Sequence, residues 1–329
     1  MRTLLFTFIL ALLSALTSAQ TFSNIAIAEA STVCSIAQDE QGMVWLGTEN
    51  GLYSYDGYRT IPHNTSADGT VVATRIHSML VCHNIIYMGT ERGLLVYDIR
   101  SGRYGQPAEH SPKDIRAVAM HEGRLWMGSA TGLYSCSLAA NDIRLENRQL
   151  QNVYSLLSTP RGLLVGTIDG LALRSSGGSI RRIPIGNGPQ PLVNALAPDR
   201  GTNAVWIGTE GALYRYDWRT FQPVAPLVGN SIKSLALHGD NIYAGTDNGM
   251  FIYNKVSNHI SHALHDSRSA RSIANNIVWA VFNDRWGNLW AGTDQGVSEI
   301  QRRPFYTYTP LSDITHTGDG NCLHLIFRS

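Results

Sequence analysis

Residues 39–56 read DEQGMVWLGTENGLYSYD, and the spacing of Gly47-Thr48 and Gly51 in this stretch recurs down the chain. The copies fall at Gly89/Gly93, Gly128/Gly132, Gly166/Gly170, Gly245/Gly249 and Gly292/Gly296, with a partial copy at Gly208. The first glycines of the seven copies lie 37 to 47 residues apart, about 41 on average, which is the period of one four-stranded propeller blade. The chain reads as a repeat array: an all-β, seven-bladed β-propeller of four-stranded blades, 28 strands in a closed ring without open sheet edges.

Each repeat divides into four parts. A short first strand opens it, at residues 33–36, 76–80, 115–119, 153–157, 193–197, 232–237 and 277–282, with a small residue at its middle (Ser35, Ser78, Ala117, Ser155, Ala195, Ser234, Ala280). Small residues fit where inner strands converge on an axis. The second strand carries an aromatic (Trp45, Tyr87, Trp126, Trp206, Tyr243, Trp290) or Leu164, and this fixed spacing points to packing between blades, not to a ligand platform. A tight turn follows, whose last position is suited to Gly51 because a positive φ there costs glycine nothing. The fifth copy departs, with Ala212 in the glycine position and Gly211 one residue early, so its turn must be shifted or reshaped. The third strand is a Leu-x-x-Tyr segment, and the fourth is a variable outer strand. Residues 21–27 precede the first blade and are expected to supply the outer strand of the last one.

The ends stand apart from this array. Arg2, a mostly apolar run over residues 4–16 and the small residues Thr17-Ser18-Ala19 read as a cleaved signal peptide, residues 1–19, too short to span a bilayer comfortably. The propeller then covers residues 20–303, and residues 304–329 read as the start of a truncated second propeller or a C-terminal overhang. Without Arg2 the chain holds 25 basic and 25 acidic residues, a balance that gives no long-range pull on nucleic acid. Cys34, Cys82, Cys136 and Cys322 show no C-x-x-C spacing; Cys34, Cys136 and Cys322 fall in expected strands, where a buried free thiol acts as a small hydrophobe.

The D-x-x-G-x-x-W-x-G-T-x-x-G-L-x-x-Y-D pattern of residues 39–56, nearly repeated from Asp284 to Thr293, resembles the two-component regulator propeller repeat. The resemblance spans roughly residues 21–300. It implies the periplasmic sensor region of a hybrid two-component histidine kinase of the Bacteroidetes type, here the N-terminal propeller alone. In that family a signal peptide precedes two seven-bladed propellers, a β-sandwich, one membrane span and a kinase. The family further implies an oligosaccharide ligand, a homodimer, and membrane attachment only through C-terminal parts that this sequence does not include.

In a propeller the loops entering the inner strands and those joining second to third strands share one face, where ligands bind. That face is expected to present Glu49, Asn50, Glu91, Arg92, Asp169, Asp247 and Asp294 from the turns, with Asn248 and Gln295 beside the last two. From the inner strands it is expected to present Arg75, His77, Arg116, Tyr154, Asn194, Lys233 and Trp279. Amides, charges and aromatic faces in one place suit sugar hydroxyls and ring faces. His259, His262 and His265 have metal-like spacing on a helix, but they fall on an expected outer strand, where alternation separates His262 from the other two. No metal or cofactor is expected. Carboxylates are scattered one or two per blade turn without an acid and base pair, so a non-catalytic sensor is the first reading. A polysaccharide-active propeller enzyme and a protein-interaction scaffold are the alternatives.

Overall fold

The computed structural model describes residues 21–27, 32–67, 69, 71–105 and 111–300. The expected signal peptide, the segment 304–329 and Cys322 lie outside these residues. Among them the chain forms 28 strands in seven four-stranded antiparallel sheets, and one 3-10 turn, Ala225–Leu227. This is the seven-bladed propeller that the repeat implies. The inner strands, Val33–Gln38, Ile76–Cys82, Ile115–His121, Val153–Thr159, Val193–Pro198, Ile232–His238 and Val278–Asn283, run one or two residues beyond the expected ends, and the last starts one residue later.

The first glycine of each motif copy has a packing role that its sequence context does not display. A Cβ on Gly47 would stand 2.8 Å from Ile76 Cγ2, and one on Gly292 would stand 2.7 Å from the Val33 backbone oxygen. The same contact joins Gly89 to Ile115, Gly128 to Val153, Gly166 to Val193, Gly208 to Ile232 and Gly245 to Val278. In every case the β-branched residue opens the inner strand of the following blade, and all seven are fully buried. Each blade thus offers a notch, made by a missing side chain, into which the next blade inserts a Val or Ile.

The same contact revises the reason for the small residues of the inner strands. Ser35 pairs in register with Gly47, and its Oγ would lie 2.3 Å from a Cβ there. Ser155 Oγ donates to Val193 O of the next blade at 3.1 Å. The small side chains are therefore required by the neighbouring blade at least as much as by the axis.

The motif aromatics are 1 to 3% exposed and fill the interfaces between blades. In the two copies that keep the whole D-x-x-G-x-x-W-x-G-T segment the aspartate organises the turn before the Trp. Asp39 Oδ1 accepts N–H groups of Gln41 and Met43, and its Oδ2 accepts Trp45 Nε1–H at 2.9 Å. Asp284 does the same for Trp286, Asn288 and Trp290. In the fifth blade, whose turn is one residue longer, buried Asp199 binds Lys255 Nζ at 2.6 Å and the Thr202 hydroxyl instead, and Trp206 Nε1 finds no partner among the described residues.

The second glycine of each copy has positive φ (Gly51 118°, Gly249 81°), and the hydroxyl of the Thr, or of Ser129 in the third copy, three residues before it donates to its carbonyl, as Thr48 does to Gly51 at 2.8 Å. In the fifth copy no residue from 209 to 212 has positive φ, yet Thr209 Oγ1 still donates to Ala212 O at 2.9 Å. The turn is reshaped as expected while its hydroxyl clasp is kept. The strand Ser23–Ile25 pairs antiparallel with Gly296–Ile300 and completes the seventh sheet, so the N-terminal segment closes the ring.

Gly292→Ala is expected to destabilise the fold by about 1–3 kcal/mol through overpacking against Val33. Gly188→Ala, at a position where a Cβ meets nothing within 4 Å, is expected to be neutral. Urea unfolding midpoints at constant m compare the two, and equal midpoints would contradict the notch.

Candidate functional site

The residue after each buried Val or Ile sits at a break in strand register, and this break occurs in all seven inner strands, as between Val33 and Ser35 or Val278 and Ala280. A bulge places two residues opposite one and re-aims the extra side chain. The seven bulge residues are Cys34, His77, Arg116, Tyr154, Asn194, Lys233 and Trp279, and together with Arg75, Leu192, Glu210 and Ser231 they line a hollow of about 440 Å³. Beyond this mouth the channel continues past the small residues to Ile36, Met79, Leu156 and Leu235. The hollow is a funnel on the axis, with polar and aromatic side chains at its mouth and the aliphatic side chains of the inner strands deeper in.

Two cation and ring pairs stand on its wall. The Arg116 guanidinium lies 4.5 Å from the centre of the Tyr154 ring, and Lys233 Nζ lies 4.4 Å from the centre of Trp279. In each pair the cation comes from one blade and the ring from the next. Asp114 Oδ2 accepts from Arg116 Nη2 at 2.6 Å and Nε at 3.0 Å, Asp247 pairs with Lys233 at 2.8 Å, and Trp279 Nε1–H donates to Asp294 at 2.5 Å. These contacts fix the rings in place before any ligand arrives. His77 Nε2 stands 3.5 Å from Asp114 Oδ1. Burial holds the His77 pKa below the ordinary imidazole value, against the opposing pull of Asp114. Burial also pushes the Cys34 thiol up, although its hydrogen bond with Arg75 acts in the other direction.

Of the residues singled out from sequence, the structure brings seven onto the funnel wall: Arg75, His77, Arg116, Tyr154, Asn194, Lys233 and Trp279. Asp247 and Asp294 stand behind them as hydrogen-bond and charge partners. Glu49 accepts the Thr32 N–H at 3.2 Å, and Glu91 acts on Arg75 through its charge. Asn50, Arg92 and Asp169 sit at turn tips with their N–H groups on the Thr hydroxyls, and none of the three lines the funnel.

The sequence reading missed Cys34, Leu192, Glu210 and Ser231. Cys34 is half-buried on the wall and is not a core thiol, contrary to the expectation from its place in a strand, whereas Cys136 is fully buried. Aligning the seven inner strands places Cys34 with His77 and Arg116, which was the available signal. Glu210 follows Thr209 as Glu49 follows Thr48, but the departing fifth turn hid it. Cys34, Cys82 and Cys136 are free thiols.

His262 is stacked on Phe251, with ring centres 3.9 Å apart, and bonds Asn248 O through Nε2, while His265 Nδ1 donates to Ile273 O. Among the described residues no group of three His, Cys, Asp or Glu is placed to hold a metal ion. A second hollow, about 680 Å³, lies at the opposite end of the strands between blades 7 and 1, lined by Met43, Tyr55, Tyr58, Trp286, Trp290 and Glu299 among others. It adjoins Ile300, where the described residues end.

Comparison with known proteins places this site in context. The two component regulator propeller family matches residues 29–50 and 272–295, which include the D-x-x-G-x-x-W-x-G-T segments Asp39–Thr48 and Asp284–Thr293. The extracellular domain of BT4673 from B. thetaiotaomicron is 36% identical over 87% of this chain, with a TM-score of 0.78. One of its crystal structures describes BT4673 as a one component system and another as a hybrid two component system. The extracellular domain of the hybrid two component system BT3049 from the same organism is 20% identical over 87% of the chain, with a TM-score of 0.73, and shares the fold. The chain spans 40% of the length of BT4673 and 42% of that of BT3049 in these structures. No curated protein matches it. Among the described residues no helix is long and apolar enough to cross a membrane.

Burial also depresses the pKa values of His63 and His121, so three histidines, His77 included, protonate more readily in the unfolded chain than in the folded one. Stability is therefore expected to be fully present above pH about 6.5 and to fall as pH drops through that value. Urea midpoints measured between pH 7.5 and 5 check the sign, and a flat profile would contradict it.

Proposed function

We propose that this chain, built from two-component regulator propeller repeats, is an extracytoplasmic ligand-sensing propeller of a hybrid two-component system, and that its funnel binds an oligosaccharide. The observation that carries the reading is the wall of the funnel. Tyr154 and Trp279 come from blades three apart in a ring of seven, so they face the axis from nearly opposite sides, with amide, hydroxyl and charged groups between them. Rings held by cations on one side leave edges and faces for the C–H surfaces of a pyranose, and the polar groups between suit its hydroxyls. The similarity to extracellular domains of hybrid two component systems supports a sensing role and a periplasmic location.

The chain is proposed to bind without catalysis. The carboxylates of Asp114, Asp247 and Asp294 are committed as partners of Arg116, Lys233 and Trp279, which leaves Glu210 as a single carboxylate on the wall and no opposed acid and base pair of the kind that glycoside hydrolysis uses. The ligand signal would pass to whatever follows the propeller in a longer protein.

Isothermal calorimetry with an oligosaccharide hit from a glycan array is expected to give measurable binding. Tyr154→Ala or Trp279→Ala should each weaken it by about tenfold or more, as loss of a stacking aromatic does. Binding that neither substitution alters would move the site away from the funnel.

A further inference from the structure

The charges on the funnel wall narrow the chemistry of the ligand, given the oligosaccharide reading above. Three permanent cations line the funnel, and each already faces counter-charge or an acceptor. Arg116 commits Nε and Nη2 to Asp114, and Nη1 reaches Asn152 Oδ1 at 3.4 Å, so three of its five N–H donors are in use and its charge is met by the Asp114 carboxylate. Lys233 is held between the Asp247 carboxylate and the Trp279 ring. Arg75 is hydrogen-bonded to Cys34 and lies in the field of Glu91 and Glu49. His77 adds no positive charge at neutral pH, because burial disfavours its protonated form.

Glu210 differs from all of these. It is the one carboxylate among the described residues that line the funnel, and its side chain has no hydrogen bond or ion pair among them. Its place in the wall follows from the fold: its backbone N–H is anchored on Leu192 O at 3.1 Å, beside the entry to the fifth inner strand. The reshaped fifth turn, which has Gly211 where other copies have a larger residue, leaves open space there.

A ligand carboxylate or sulfate entering this funnel meets Arg116 and Lys233 already paired with carboxylates, Arg75 in the field of Glu91 and Glu49, and the Glu210 carboxylate, which has no counter-charge among the described residues. Drawing Arg116 wholly onto a ligand anion would leave the partly buried Asp114 carboxylate short of its main partner, a cost set against the new contact. A neutral sugar meets the opposite situation. Adjacent ring hydroxyls offer two O–H donors to the free carboxylate, and hydrogen bonds to an ionised acceptor are the strong ones. Asn194 and Ser231 on the same wall supply both donors and acceptors for further hydroxyls. We infer that the funnel selects neutral oligosaccharides over uronate- or sulfate-bearing ones, and that Glu210 sets this selectivity by accepting hydrogen bonds from neighbouring hydroxyls of one sugar ring.

The test is a glycan array carrying neutral and acidic glycans, probed with the intact chain, followed by calorimetry on the tightest neutral binder and on a glucuronate-bearing glycan of the same length. Bound glycans are expected to be neutral. Glu210→Gln should weaken neutral binding about tenfold with an unchanged thermal midpoint. Glu210→Lys should admit the glucuronate-bearing glycan, a gain that a purely structural role for Glu210 would not produce. An acidic glycan bound as tightly as the best neutral one, or neutral binding unmoved by Glu210→Gln, would overturn the selectivity and leave the oligosaccharide reading standing. Failure to bind any glycan would instead overturn that reading, and this inference with it.

Discussion

Seven missing side chains hold this ring together. The second strand of every blade carries a glycine at the point where the next blade inserts a Val or Ile, and the gap is too small for any Cβ. Burying a β-branched side chain completely is worth roughly 1.5–3 kcal/mol, and the contact is made at all seven interfaces, so it sets both the spacing and the tilt of neighbouring blades. A glycine in a strand interior is otherwise unfavourable, so its recurrence at this register position is explained by the notch. The small residue opposite it, Ser35 or its counterparts, serves the same close approach.

Framework and site are one residue apart. The Val or Ile that enters the notch is followed at once by the bulge residue that points into the funnel, so the contact that fixes the blade also fixes where the bulge residue begins. Packing therefore constrains the first position tightly and the second hardly at all. That is how Cys, His, Arg, Tyr, Asn, Lys and Trp occupy equivalent positions on seven blades of otherwise similar construction. The wall owes its chemical variety to a position from which the core asks nothing, while the partners in the turns, Asp247 and Asp294, hold Lys233 and Trp279 at fixed angles.

The ring, its blade number and the strand that closes it were legible because glycine spacing and alternation are properties of consecutive residues. The inner-strand half of the funnel was legible for the same reason, once residues such as Arg116 and Trp279 are placed at a common position. The remainder depends on contacts across blades, which no local pattern encodes. His77 of one blade approaches Asp114 of the next, and Asp199 of the fifth is neutralised by Lys255 of the sixth. Cys34 was misassigned because a strand cysteine is usually core, and only the bulge turns it toward the axis. Glu210 was hidden by the one turn that breaks the repeat.

The placement of the two copies with the whole D-x-x-G-x-x-W-x-G-T segment follows from the same logic. Consecutive blades are tethered by the chain, but blades 7 and 1 meet only through non-covalent contacts and the strand Ser23–Ile25. Here the turns are best organised, with Asp39 and Asp284 each gathering backbone N–H groups and a Trp indole. Across this seam Arg285 donates to the carbonyls of Glu40 and Asp39, its own N–H donates to Gln38 Oε1 at 2.9 Å, and Trp286 covers Gly42. Asn24 adds a further link, accepting from Ser298 and donating to Ser272 O. Elsewhere the motif decays, with His121 O replacing the aspartate beneath Trp126 and nothing beneath Trp206 among the described residues. A ring tolerates imperfect turns where covalent connection keeps neighbours together, and it needs the full hydrogen-bonded set at the one junction that lacks it.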